Sequence, residues 1–182
     1  GAGAVVTARN TLQSLTDALL YLQTYPFECS EQIAARVMSV AALRDVLTAF
    51  RAGGLQPPAE IDAAVARDIE LLEQLQNPDG GWPFWTRGEE TFVYNSIFVA
   101  HALQLALNKD YAVQQETLQA AREFLRNVEA YYQPWYSPEV RQTLSAYALY
   151  VRYLMGDLDP AKAREVYAQL SLDDASLEAL AW

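Results

Sequence analysis

In the stretch YPFECSEQ, residues 25–32, a cysteine at position 29 is followed three residues later by a glutamine at position 32. These are the residue types that could do chemistry here, a sulfur nucleophile and an acyl carbon. Cys29 is the only cysteine of the 182-residue chain, so its thiol has no partner for an internal disulfide. Tyr25-Pro26 ends a preceding helix, since the residue before a proline is pushed out of helical geometry, and the next helix is predicted to begin around Ser30. Cys29 then sits at or just before an N-cap, with Gln32 near the third helical position. In a capping box the side chain three residues on reaches back toward the cap, which would bring the Gln32 side-chain carbonyl carbon close to the Cys29 sulfur. The unpaired amides and positive end of a helix favour thiolate and polarise a carbonyl lying there. Attack on the Gln32 amide with departure of ammonia would leave an internal thioester. A small buried residue and a capping glutamine fit the same spacing, and on spacing alone that plainer reading stands ahead.

The elements that must position these residues are helical throughout. No segment shows the two-residue alternation of strands, and Ala, Leu, Glu, Gln and Arg dominate. The predicted helices are of two kinds. Residues 31–51 are apolar nearly all round, the pattern of a helix covered on every side. Residues 59–76 put Ile61, Val65, Ile69, Leu72 and Leu75 on one stripe and their charges elsewhere. The pair recurs: residues 91–107 are covered and 114–129 amphipathic, then 139–155 covered and 160–169 amphipathic. A further helix, about 7–23, precedes Cys29, and the last stretch, 176–182, has helical character. Gly53-Gly54, Pro57-Pro58, Asn77-Pro78-Asp79-Gly80-Gly81, Pro134 and Gly156 punctuate the series. Alternation of covered and wet helices predicts two concentric layers, an all-α fold of the α/α-toroid type, with a superhelical solenoid as the competing arrangement. The chain reads as one domain, residues 1–182, cut from a larger protein and holding only part of the toroid.

Composition narrows the function classes. A net charge of −10, with thirteen scattered basic residues, argues against nucleic acid as a partner. One Cys and one His cannot make a zinc set, and no cofactor is called for. The longest uncharged run, Thr91 to Asn108, reaches the lower limit for a membrane span. It contains Asn95, Ser96, His101 and Gln104, so a buried helix is expected, without membrane contact.

YPFECSEQ resembles the thioester signature of the α2-macroglobulin and complement family, whose core is Cys-x-Glu-Gln. GGWPFW (80–85), TFVYNSIFVAHALQLA (91–106) and LSAYALYVRYLMGDLD (144–159) are similar to the turn and inner-helix motifs of the bacterial thioester domain, in the expected order. The resemblance covers roughly residues 10–182. It implies that Cys29 and Gln32 are the thioester pair, with Glu31 part of the motif, and that the fold is an incomplete α/α toroid. By the same resemblance the chain is an endopeptidase inhibitor and no ordinary enzyme. A protease cleaves a bait region elsewhere, and the exposed thioester traps it through an amine. Neighbouring domains shield the bond beforehand, and Tyr25 and Phe27 would supply a dry wall or simply pack the helix junction. A periplasmic, lipid-tethered parent protein is implied as well. His101 does not occupy the place of the complement-type helper histidine; it reads as a hydrogen-bonded core residue, which implies amine rather than hydroxyl targets. One departure is Glu28, where the family usually has glycine. Glutamate would be strained there if positive φ is required, and a carboxylate beside the sulfur would disfavour thiolate.

Two rival readings remain. Gln76 to Trp82 also resembles the glutamine/tryptophan turn of triterpene cyclases and prenyltransferase β subunits, in which Gln76, Gly80, Gly81 and Trp82 would tie outer to inner helices. A cyclase needs an Asp-rich motif on the inner wall, and the pair Asp173-Asp174 sits in a loop-like stretch instead. The other rival is a packing or docking module of the same toroid class with no functional thioester.

Overall fold

A computed structural model of the chain describes residues 28–49 and 58–169. The expected helix at 7–23, Tyr25, Phe27, Gly53-Gly54, Asp173-Asp174 and the segment 176–182 lie outside the described residues. Within them the fold is all-α, with no strand. The helices are α1 (Ser30–Ala49), α2 (Pro58–Leu75), α3 (Val93–Leu107), α4 (Gln115–Arg126), α5 (Pro138–Leu154) and α6 (Pro160–Gln169), with one 3-10 turn at Val128–Tyr131.

Packing follows burial. α1, α3 and α5 form a row in which α3 touches both of the others; α2 lies on α1, α4 on α3 and α5, and α6 on α5. The three helices read as covered are thus consecutive neighbours, and the three amphipathic ones flank them. The centre of the core is α3, where Val93, Ile97, Val99, Ala100, Ala102, Leu103 and Ala106 are buried. It meets Ile33, Val37 and Val40 of α1 and Tyr147, Ala148 and Val151 of α5 within one cluster. No described helix is long and apolar enough to cross a membrane; the uncharged run is this central helix. α5 departs from its covered pattern. It ends the described row, and Val140 and Tyr153 stand exposed on it.

Helix ends differ from the predicted ones where local hydrogen bonds decide. α3 starts at Val93 because Phe92 is extended and gives its amide to the Trp82 carbonyl at 3.1 Å. α4 stops at Arg126, since Asn127 leaves helical geometry and its side chain caps the Glu123 carbonyl at 2.9 Å. α5 opens with Ser137 accepting from the Val140 amide at 3.3 Å and Pro138 in the first turn, where a missing N–H costs nothing.

The ends of α4 and α5 and the start of α6 meet at two aspartates. Asp157 accepts from Arg126 at 2.9 and 3.0 Å and from Arg152 at 2.7 Å. Asp159 accepts from Arg152 at 3.2 Å and from the Lys162 amide at 3.0 Å. The Arg126 hydrogen bonds, with Arg152 adding to them, hold the Asp157 carboxyl down at about 2, from an ordinary 3.8. A lowered folded-state value means stability that is complete above the ordinary value and lost as pH falls through the folded one. Thermal unfolding followed across pH should therefore show a melting temperature that drops between about pH 4 and pH 2. Asp157→Asn should flatten part of that drop, and an unchanged profile in the variant would refute the linkage.

Candidate functional site

The site is built on the first turn of α1. Cys29 precedes Ser30, the first helical residue, and its carbonyl accepts the Ile33 amide at 3.0 Å. It is therefore the N-cap, and Gln32 is the third helical residue. At those two positions side chains share one side of the turn. Cys29 is 5% exposed and free of any disulfide. Gln32 is half-buried, and its side-chain carbonyl oxygen is buried with no hydrogen-bond partner among the described residues. Glu31, the motif residue between them, faces solvent.

A sulfur and an acyl group on one turn, with the acyl oxygen left unpaired, form an arrangement in which a bond between residues 29 and 32 is chemically sensible. The positive end of α1 lies under both groups.

Behind the first turn lies a buried ion pair. Arg36 of α1 gives two hydrogen bonds to Asp68 of α2, at 2.8 and 3.1 Å, and both side chains are nearly inaccessible. The Asp68 hydrogen bond, aided by the charges of Asp68 and Glu28 and opposed by burial, raises the Arg36 pKa above its ordinary value. The Glu28 carboxylate, mostly exposed, stands 3.9 Å from the Arg36 guanidinium. It is thus partly neutralised by a cation instead of acting on the sulfur alone. The backbone angle that bears on strain at Glu28 involves Phe27, outside the described residues.

The turn between α2 and α3 holds the site from the other side. The Trp82 indole is fully buried and donates to the Leu72 carbonyl at 2.7 Å, while its amide donates to Ser96 Oγ at 2.8 Å. Gln76 donates to the carbonyls of Gly80 and Thr117, each at 3.0 Å. Gly80 has φ +89, and a Cβ there would overlap the Ala120 carbonyl; a Cβ on Gly81 would overlap the Thr91 methyl. Both positions exclude side chains, so α4 and α3 close directly on the turn backbone. The next two residues then reach α1: the Ser30 amide donates to the Phe84 carbonyl at 2.8 Å and the Ser30 hydroxyl to the Pro83 carbonyl at 2.5 Å. The sequence-predicted turn residues and the sequence-predicted pair are thus joined through Ser30.

Four participants lie outside the residues predicted from sequence: Ser30, Arg36, Asp68 and Asn95. Asn95 Nδ2 donates to Ser30 Oγ at 2.8 Å and to the Pro83 carbonyl at 3.2 Å. The available signal was its polar side chain in an apolar run. His101 lies elsewhere on α3, with Nδ1 hydrogen-bonded to the Tyr147 hydroxyl at 2.9 Å and its ring edge-on to Tyr147 and Tyr150. Burial lowers its pKa below 6.5, so the ring is neutral at pH 7. Among the described residues no group of His, Cys, Asp and Glu could hold a metal ion.

No protein-family model matches the chain, and no curated protein matches it by sequence. Solved structures do. The crystal structure of native Escherichia coli α2-macroglobulin from domain MG7 to the C-terminus is similar over 85% of this chain and 25% of that one, at 19% identity and TM-score 0.73. The native conformation of the E. coli protein seen by electron cryomicroscopy is similar over 88% of this chain and 10% of that one, at 20% identity and TM-score 0.75. Salmonella α2-macroglobulin reacted with methylamine is similar over 85% and 10%, at 21% identity and TM-score 0.70. This chain spans a quarter or less of the length of each. At these identities the likeness is one of fold: the helical arrangement is that of part of bacterial α2-macroglobulin.

Proposed function

We propose that this chain is the thioester domain of a bacterial α2-macroglobulin-like protease inhibitor, with Cys29 and Gln32 as the reactive pair. One observation carries the reading: a buried, unpaired cysteine at the N-cap of α1 and a glutamine at its third position, whose acyl oxygen is orphaned, on a fold shared with bacterial α2-macroglobulins.

Ring formation would run from Cys29 Sγ to Gln32 Cδ. The C–S bond forms, the C–N bond breaks, and ammonia leaves with the thiol proton. The stored acyl group is then consumed once. An amine attacks Cδ, the C–S electron pair returns to sulfur, and one amine proton passes to sulfur or solvent, leaving an amide and a free thiol. The positive end of α1 stabilises both the oxygen charge that develops on attack and the departing thiolate. His101 has Nδ1 engaged by the Tyr147 hydroxyl and its ring packed edge-on against Tyr147 and Tyr150, a packing role that supports amine rather than relayed hydroxyl targets.

On this reading the described helices are an arc of an α/α toroid within a longer polypeptide. Other domains of that polypeptide shield the bond from water until a protease cuts a bait segment, and the captured protease is linked through its amines. A periplasmic, lipid-tethered inhibitor is the setting we propose.

The test is intact mass of the parent polypeptide purified without amines. A deficit of one ammonia is expected, and methylamine should add to residue 32 with release of one thiol while glycerol does not. Full unmodified mass with no methylamine uptake would overturn the thioester and leave a helical packing module; glycerol labelling equal to that of methylamine would overturn the amine preference.

A further inference from the structure

We infer that Ser30 and Asn95 are positioning residues for ring closure, forming a buried clamp that holds the first turn of α1 in the geometry joining residues 29 and 32. The inference rests on the thioester reading and adds to it two residues outside the signature pair.

Ser30 and Asn95 are each 0% exposed, and they are separated by 65 positions in sequence. Every polar atom by which Ser30 meets the rest of the molecule is used. Its amide goes to the Phe84 carbonyl, its hydroxyl proton to the Pro83 carbonyl, and its hydroxyl oxygen accepts from Asn95. The residue directly between the N-cap and the acyl-bearing turn is thus fixed against two separate elements, the α2–α3 turn and α3.

The hydrogen bonds that Asn95 donates add stability, whereas its acceptor does not. Asn95 Oδ1 is buried without a partner, one of two such side-chain atoms among the described residues; the other is the acyl oxygen of Gln32. Leucine would fill a comparable volume with no orphaned acceptor, and buried polar groups lacking partners call for an explanation beyond packing. What asparagine supplies is its amide donor, shared between Ser30 and Pro83. The Pro83 carbonyl is itself anchored through Trp82, so the clamp refers the reactive turn back to the rigid turn that holds the hairpins together. Intramolecular reactions depend steeply on such fixing of the reacting atoms.

The experiment compares the parent polypeptide with Ser30→Ala, Asn95→Leu and their combination, reading the ammonia deficit, methylamine uptake and thermal unfolding. Each single change should lower ring occupancy about tenfold, because small displacements at a reacting pair carry large penalties. The double variant replaces both partners by apolar groups and should regain part of the melting temperature lost by either single change, while its occupancy stays low. Ser30→Thr, which keeps the hydroxyl, should retain occupancy. If occupancy tracks melting in all variants and recovers in the double one, the pair is purely structural and the inference is overturned. A wild-type protein with no ammonia deficit is a different failure: it removes the thioester itself, and the positioning role with it.

Discussion

A Cys29→Ala variant of the parent polypeptide is expected to take up no methylamine and to show no ammonia deficit, while melting close to the wild type. The loss should be complete, because an unactivated glutamine amide has a poor leaving group and no nucleophile beside it. Folding should survive because the structural work of residue 29 is done by its backbone, whose carbonyl accepts the Ile33 amide. Replacing a small buried thiol by a methyl group leaves a gap of one sulfur, a change of about 1 kcal/mol. Gln32→Ala should abolish uptake as well and should also remove an orphaned buried oxygen, so its stability should hold or rise. Methylamine still attached at residue 32 in the cysteine variant would sink the assignment. A cooperative unfolding transition must be recorded beside the labelling, so that loss of chemistry is not confused with loss of fold.

Trp82→Ala should have the largest effect on stability, about 3–5 kcal/mol, a large share of the 5–15 kcal/mol typical of a whole domain. The indole is fully buried, and its removal leaves a cavity and an unpaired Leu72 carbonyl together. The cavity cannot collapse easily, because Gly80 and Gly81 already bring α4 and α3 onto the turn backbone. Trp82→Phe separates the two contributions: it keeps much of the ring volume and loses the indole donor, for about 1–3 kcal/mol. Urea unfolding midpoints at constant slope give both values. A loss below about 1 kcal/mol in the alanine variant would show that the turn is held elsewhere. Ring occupancy should also fall in this variant, since Trp82 anchors the carbonyl of Pro83 that meets Ser30.

Much of this molecule is legible one residue at a time. Apolar periodicity placed six helices to within a few positions, and it set α1 and α3 apart from the helices with a wet face but not α5, on which Val140 and Tyr153 are exposed. The disagreements fall at ends, as at Phe92 and Asn127, where a hydrogen bond to a distant carbonyl or a capping side chain overrides the pattern. The Cys29–Gln32 spacing was equally local: a cysteine at a helix mouth and a glutamine one turn on need only the rise and twist of an α-helix. Gln76 and Trp82 were found through a motif, and the motif names residues without naming partners.

What the chain order could not disclose was which remote groups meet. Nothing in the sequence ties Ser30 to Asn95, Arg36 to Asp68, or the carbonyls of Pro83 and Phe84 to the amide and hydroxyl of Ser30. Periodicity is a property of neighbours along the chain, so amino-acid order by itself determined the helices, most of their covered and wet faces, and the Cys29–Gln32 spacing at the mouth of α1. Tertiary packing alone decided how that pair is held, because side chains from three helices and a turn converge only once burial of the apolar faces has brought α1, α2 and α3 together.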